Sequence, residues 1–170
     1  MLVLVGTSPS GLSTLDIATK RKTALLTSSE FRLWNARFSP DDRWISFNAT
    51  GGGRSHIFVA PVREGSVSEQ DWISVADSGW DDKPRWSPDG NTLYFVSERD
   101  GFRCIWAQRL DNLKHPVGDP IAVLHAHESG RSLSSIGPGD LSISVARDKI
   151  VLNMNERAGN LWLTRLDSGK

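Results

Sequence analysis

Cysteine is nearly absent from this chain: Cys104 stands alone in 170 residues. No intramolecular disulfide can form, and a metal site built of cysteines is excluded with it. The lone thiol reads as a small buried hydrophobe on a strand. Runs of one charge sign are also missing, since 20 basic and 20 acidic residues are interspersed. Neither a nucleic-acid-binding arm nor an acidic tail is present, and no nucleic-acid partner is expected. No apolar stretch approaches the ~20 residues of a membrane span, so membrane insertion is not expected. The opening "MLVLVGTSPSG" holds five apolar residues with no Lys or Arg before them, too short a core for a signal peptide. The sequence names no compartment. If the segment belongs to a longer exported protein, the periplasm or the cell exterior is the expectation.

Catalytic signatures are absent as well. Gly-x-Ser-x-Gly, the strand-to-helix turn that exposes a hydrolase serine, does not occur. Neither does Gly-x-x-x-x-Gly-Lys-[Ser/Thr]. Gly51-Gly52-Gly53 lies between two strand-like segments and reads as a flexible hairpin, because no helix follows to supply an anion-binding N-terminus.

What the sequence does contain is a repeat. Ser39-Pro40-Asp41 recurs as Ser87-Pro88-Asp89, 48 residues later. At the same spacing Ile45 matches Leu93, Phe47 matches Phe95, Ile57 matches Ile105 and Phe58 matches Trp106. A weaker copy spans residues 140–167. It lacks the Ser-Pro-Asp turn but keeps Glu156, Arg157 and Gly159 against Glu98, Arg99 and Gly101, and Trp162 against Trp106. The first residues resemble the later strands of a preceding unit.

Each unit reads as four short strands. In the second close copy, strand a covers residues 84–87. Pro88-Asp89-Gly90 then turns the chain, Pro presetting φ and Gly accepting positive φ. Strand b covers 92–97, Asp100-Gly101 signals a hairpin, strand c covers 103–108, and strand d covers 121–124. The b segment "TLYFV" is apolar on both faces, whereas a sheet with one wet face would alternate. Such sheets are dry on both sides only when sandwiched between other sheets. Four-stranded repeats of ~40–50 residues stacked in this way describe β-propeller blades. The expected fold is therefore all-β, with three to four blades, or a part of a larger propeller. Blade boundaries are expected at residues 1–34 (the end of a preceding blade), 35–80, 81–135 and 136–170 (an incomplete last blade).

The segments "FSPDDRWISF" and "WSPDGNTLYFVSERDGFRCIW" resemble the TolB-like, WD-like propeller repeat. That repeat has an aromatic residue, a Ser-Pro-Asp-Gly turn, an aliphatic-x-Phe strand, an Asp-Gly hairpin and an aliphatic-aromatic strand. The ending "ERAGNLWLTRLD" looks most like the last blade of propellers that form sensor regions of bacterial Ser/Thr kinases. Similar repeats occur in exported binding proteins and in the non-catalytic propellers of prolyl-oligopeptidase-type enzymes. The resemblance implies a fold. It does not by itself assign a function.

Candidate site residues come from the segments joining one unit to the next. Trp34 and Trp80 fall in the expected d-to-a loops, which open on one propeller face. "RLWN" (Arg32, Trp34, Asn35) and "WDDK" (Trp80, Asp81, Asp82, Lys83) pair an aromatic with polar groups, a mixture suited to recognition. The competing reading has both rings capping the core between blades. The third such loop, residues 125–139, holds His125, His127 and Arg131. His125 and His127 are spaced to share one face, as two imidazole ligands would, but a third ligand is needed: Glu128 points to the other face, and His115 and Asp140 could join only through folding that the sequence does not show. Asp41 and Asp89 read as turn residues that accept backbone N–H bonds, and Trp44, Trp86, Trp106 and Trp162 as packing residues.

No catalytic residue, metal or cofactor is assigned from sequence. The expectation is a non-enzymatic module that binds or scaffolds a protein or peptide, with an accessory domain of a larger peptidase or receptor-like kinase as the alternative. Open blade edges bearing Leu2, Leu4, Ile150 and Leu152 lead us to expect homo-oligomers.

Overall fold

The computed structural model describes residues 2–7, 10–127 and 131–156. Strands β1 (Leu2–Thr7), β2 (Ser10–Leu15) and β3 (Lys22–Ser28) form a three-stranded sheet. A four-stranded sheet follows, from β4 (Arg32–Phe38), β5 (Trp44–Gly51), β6 (Arg54–Pro61) and β7 (Ile73–Ala76) in that order. The next has the same plan, with β8 (Asp81–Trp86), β9 (Thr92–Ser97), β10 (Cys104–Leu110) and β11 (Pro116–Leu124). The last region pairs β13 (Ile143–Val145) with β14 (Ile150–Leu152), and the two-residue β12 (Arg131–Ser132) with β15 (Asn155–Glu156). Every strand pairing within these sheets is antiparallel. The fold is all-β and its four-stranded sheets are propeller blades.

Three apolar cores lie between successive sheets. The first joins Leu12, Leu25 and Leu26 to Leu33, Ile45 and Phe47. The second joins Ile57, Val59, Val75 and Ala76 to Trp86, Leu93 and Phe95. The third joins Val96, Ile105 and Ala126 to Leu133, Ile136, Leu141 and Ile143. The double-sided apolarity of strand b has its cause here. On β9, Leu93 and Phe95 face the second core, while the adjacent Val96 faces the third. The repeat positions share their roles: Ile45 and Phe47 point back toward the preceding sheet as Leu93 and Phe95 do, and Ile57 and Ile105 point forward.

The Ser-Pro-Asp turns are built alike. In the second sheet Ser39 Oγ donates to Asp41 Oδ1 (2.6 Å), Trp44 N donates to Ser39 Oγ (3.0 Å) and Arg43 N donates to Asp41 Oδ1 (3.2 Å). In the third, Ser87 Oγ donates to Asp89 Oδ1 (2.5 Å), Thr92 N to Ser87 Oγ (3.0 Å) and Asn91 N to Asp89 Oδ1 (3.1 Å). The left-handed position is Gly90 (φ 71°) in one turn and Asp42 (φ 57°) in the other. Asp tolerates that region better than most side chains. These bonds, with the serine hydroxyl first, hold both aspartates below their ordinary pKa.

Element boundaries differ from the sequence reading in two informative places. Strand a of the third sheet starts at Asp81, ahead of Pro84. There Asn48 Nδ2 and Ser55 Oγ donate to the Asp81 carbonyl (2.8 and 2.7 Å), a tertiary contact with no local sequence signal. Strand d starts at Pro116 and passes through the left-handed Gly118 (φ 67°). Gln108 Nε2 donates to the Val117 and Gly118 carbonyls (3.3 and 3.1 Å), which bridges the interrupted ladder. Two prolines and a glycine mask that strand in the sequence.

Two outcomes follow. Phe95→Ala should lower stability by about 3–5 kcal/mol in urea unfolding, while Ile121→Ala, on an exposed outer strand, should cost less than about 0.5 kcal/mol. Equal costs would contradict the stacked-core arrangement. The turn carboxylates have depressed folded pKa values. Their stabilisation is complete above the ordinary value of 3.8 and is lost as pH falls through the lower folded values. A variant carrying both Asp41→Asn and Asp89→Asn should therefore show a flatter stability profile than wild type below pH 3.8. Parallel profiles would contradict this role.

Candidate functional site

The inner strands β4 and β8 lie side by side, and β13 lies against β8. Trp86 Nε1 donates to the Arg37 carbonyl (3.1 Å), and Arg85 Nε donates to the Ile143 carbonyl (2.7 Å). Consecutive sheets are thus tied along this edge by side chain to backbone bonds.

Both inner strands bulge at equivalent points. The β4–β5 ladder shifts between Trp34 and Arg37, and the β8–β9 ladder between Asp82 and Arg85. Inside each bulge a non-glycine residue is left-handed: Asn35 (φ 53°) and Lys83 (φ 58°). Asn accepts this conformation readily. Lys does so at a cost of about 1–2 kcal/mol, a kind of strain that concentrates at functional positions.

The bulges bring Trp34, Asn35, Asp82 and Lys83 together. Asp82 is fully buried. Its Oδ1 accepts hydrogen bonds from Asn35 Nδ2 (3.0 Å) and from the Lys83 backbone N–H (2.6 Å). Its Oδ2 has no hydrogen-bond partner among the described residues. Lys83 Nζ stands 3.9 Å from it, close enough for Coulomb attraction but too far for a hydrogen bond. Burial pushes the Asp82 carboxyl above its ordinary pKa, against the opposing pull of Lys83. The same ammonium lies 5.4 Å from the Trp34 ring centroid. Trp34 is half-buried, and its Nε1 donates to Thr50 Oγ1 (2.9 Å).

Arg37 and Arg85 follow on the same strands, each donating from Nη1 to the carbonyl of the preceding residue. Burial, and secondarily the nearby Arg37 charge, pull Arg85 down to about 10. Together with Trp86 and residues 142–145 they line a cleft of about 490 Å³.

The other candidates from the sequence lie elsewhere. Trp34 is not in a loop: it lies within β4, paired with Asn48. Trp80 forms a bridge with Ser55 just ahead of β8, and its half-buried ring carries the Arg103 guanidinium 4.4 Å from its centroid. Asp81 is buried and structural, accepting from Ser78 N (2.6 Å) and Ser78 Oγ (2.7 Å), with Arg99 Nη2 at 3.6 Å. Arg32 is exposed, and its backbone pairs with Thr50. The segment 125–139 is less open than a long loop would be. Leu133 and Ile136 are buried, and Arg103 Nη1 donates to both of their carbonyls (3.4 and 2.8 Å). The Arg131 side chain, Glu128, Arg157, Gly159 and Trp162 lie outside the described residues.

His125 and His127 do share a face, with Ala126 between them turned into the third core. The structure adds two residues that sequence reasoning did not connect to them, Asp100 and Cys104. One donor atom from each of the four lies within 4.8 Å of the others. A single cysteine excludes ligand sets made only of cysteine. It does not exclude a mixed set. The register Ile105↔Leu124 places Cys104 beside the histidines, a long-range pairing that single-residue spacing does not reveal.

No protein-family model matches the chain, and no curated protein matches it. Its likenesses are to solved structures. TolB from Acinetobacter baumannii matches 91% of this chain and 37% of its own, at 15% identity and a TM-score of 0.59. One of a pair of prolyl endopeptidases matches 87% of this chain and 23% of its own, at 16% identity and a TM-score of 0.56. A Mycobacterium tuberculosis puromycin-hydrolyzing peptidase matches 93% of this chain and 29% of its own, at 12% identity and a TM-score of 0.53. The chain therefore spans 23–37% of the length of these three proteins. At these identities the likeness concerns fold, and the fold is that of TolB-type β-propeller blades.

Proposed function

We propose that this propeller module is non-enzymatic and holds a protein or peptide partner along its inner-strand edge, at the paired bulges of β4 and β8. The observation that carries this reading is the cluster of Trp34, Asn35, Asp82 and Lys83. A buried carboxylate with one unpartnered oxygen and a left-handed lysine both cost stability. Features that cost stability persist where they serve binding or chemistry. Trp34 offers a half-exposed aromatic anchor, and the flanking cleft brings Arg37 and Arg85. An aromatic beside arginine is the composition of interface hot spots.

A second reading is an accessory propeller of a larger enzyme. The likeness to two peptidases supports it, as does the fraction of those chains that is covered. The two readings are compatible, because an accessory propeller also works by holding polypeptide.

Peptides selected from a displayed library against the wild-type chain should bind at least ten-fold more weakly to a Trp34→Ala, Asp82→Ala variant whose circular dichroism is unchanged. They should bind unaltered to Val117→Ser, on β11. Binding that follows Val117 instead would overturn the assignment. The Asp82 pKa also gives a stability test. A carboxyl whose folded pKa is raised loses stability as pH rises through that value. Asp82→Asn should therefore unfold at the same or higher urea concentration than wild type at pH 7. A loss above about 2 kcal/mol, the scale of breaking a needed buried pair, would mark Asp82 as structural.

We further propose that the chain self-associates through open blade edges. Strand β11 is the outer edge of its sheet and exposes Val117, Ile121, Val123 and Leu124. Apolar edges of this kind favour pairing with another strand. The residues expected to be bare at the other end are partly covered: Ile150 and Leu152 pack on the third core, whereas Val151 between them is 65% exposed. The side chains of Leu2 and Leu4 lie outside the described residues. Light scattering coupled to size exclusion should show a dimer or larger species whose population rises with concentration. A monomer across the whole range would contradict self-association.

A further inference from the structure

We propose that Asp100, Cys104, His125 and His127 form a binding site for a divalent transition-metal ion of the zinc class. The four come from three separate points of the third sheet. Asp100 sits in the β9–β10 hairpin, Cys104 opens β10, and the two histidines follow the end of β11. Their donor atoms lie mutually within 4.8 Å. A tetrahedral ion with bonds of about 2.0–2.3 Å needs donors roughly 3.3–3.8 Å apart, so closure asks for side-chain adjustments of about an ångström. Three of the four residues are exposed and can make that adjustment, while Cys104 is buried and fixed.

The local structure already aims the donors. The Phe102 backbone N–H donates to Asp100 Oδ1 (3.3 Å), while Asp100 Oδ2 lies 3.1 Å from His125 Nδ1. Gly101 takes the left-handed position (φ 87°) of the β9–β10 turn that carries Asp100. Ala126, turned into the core, leaves His125 and His127 on one outer face. Phe102 stacks on His127 at 4.3 Å between centroids, and Trp106 meets His125 edge-on at 6.0 Å. Aromatic neighbours of this kind restrict imidazole orientation, as supporting groups around metal ligands do.

The donor set selects the ion class. One thiolate, two imidazoles and one carboxylate suit a tetrahedral borderline-soft ion, whereas calcium and magnesium require oxygen ligands. Four protein ligands leave no open position, so the role is structural. The ion would clasp the end of outer strand β11 to the β9–β10 turn.

The test uses the whole chain, stripped with a chelator and titrated with Zn²⁺ by calorimetry, and separately with Co²⁺ by absorption. One ion per chain is expected. The cobalt form should show tetrahedral visible bands and a near-ultraviolet thiolate charge-transfer band. His127→Gln, at an exposed position, should weaken zinc binding at least ten-fold and abolish the rise in Tm that zinc gives the wild type. Cys104→Ser should remove the charge-transfer band. His115→Gln and His56→Gln should bind as wild type. Absence of stoichiometric binding, a cobalt spectrum without thiolate, or equal losses in the His56 and His115 variants would each overturn the proposal.

Discussion

The rest of the structure depends on one packing requirement: its inner sheets must be dry on both faces. A central strand of the second or third sheet, such as β5 or β9, has no solvent side to fill with polar residues. β9 spends Leu93 and Phe95 on one neighbour and Val96 on the other. Each core needs two sheets to close it, so the stack is cooperative between neighbours, as in other repeat architectures. The repeat of 48 residues records the same geometric demand made twice.

That demand also determines where polar chemistry can occur. Polar groups are pushed to the strand edges, where sheets meet through side chain to backbone bonds. At the inner edge the bulges of β4 and β8 gather Trp34, Asn35, Asp82 and Lys83, with Arg37 and Arg85 below them. At one end of the third sheet, Asp100, Cys104, His125 and His127 converge. Both clusters are made by strand ends and irregularities, the places where a regular ladder releases side chains from core duty.

The fold was legible because its signals are local. The Ser-Pro-Asp turn, the Asp-Gly hairpin and the both-sided apolarity of "TLYFV" each follow from a few adjacent residues. The resemblance to TolB-like repeats rests on those same residues. The site was legible in part. "RLWN" and "WDDK" do supply the inner-edge cluster, but Trp34 lies within β4 rather than in a loop, because nothing local in the sequence marks a strand that passes through a left-handed Asn35. Arg32 and Trp80 do not join the cluster. The sequence marks Asp100 as a turn residue and Cys104 as a core residue. Both readings hold, yet their meeting with His125 and His127 depends on the register of β10 and β11, which no short segment encodes. The sequence shows only the end of β11, because Pro116, Gly118 and Pro120 hide the rest.

The central claim is that strands between two cores are the most stable part of the molecule. Native-state hydrogen exchange tests it directly. The account predicts that backbone amides of β5, β6, β9 and β10 exchange slowest, and that those of β11, with one free edge, exchange fastest within the third sheet. Uniform protection across β8 to β11, or slower exchange in β11 than in β9, would contradict it.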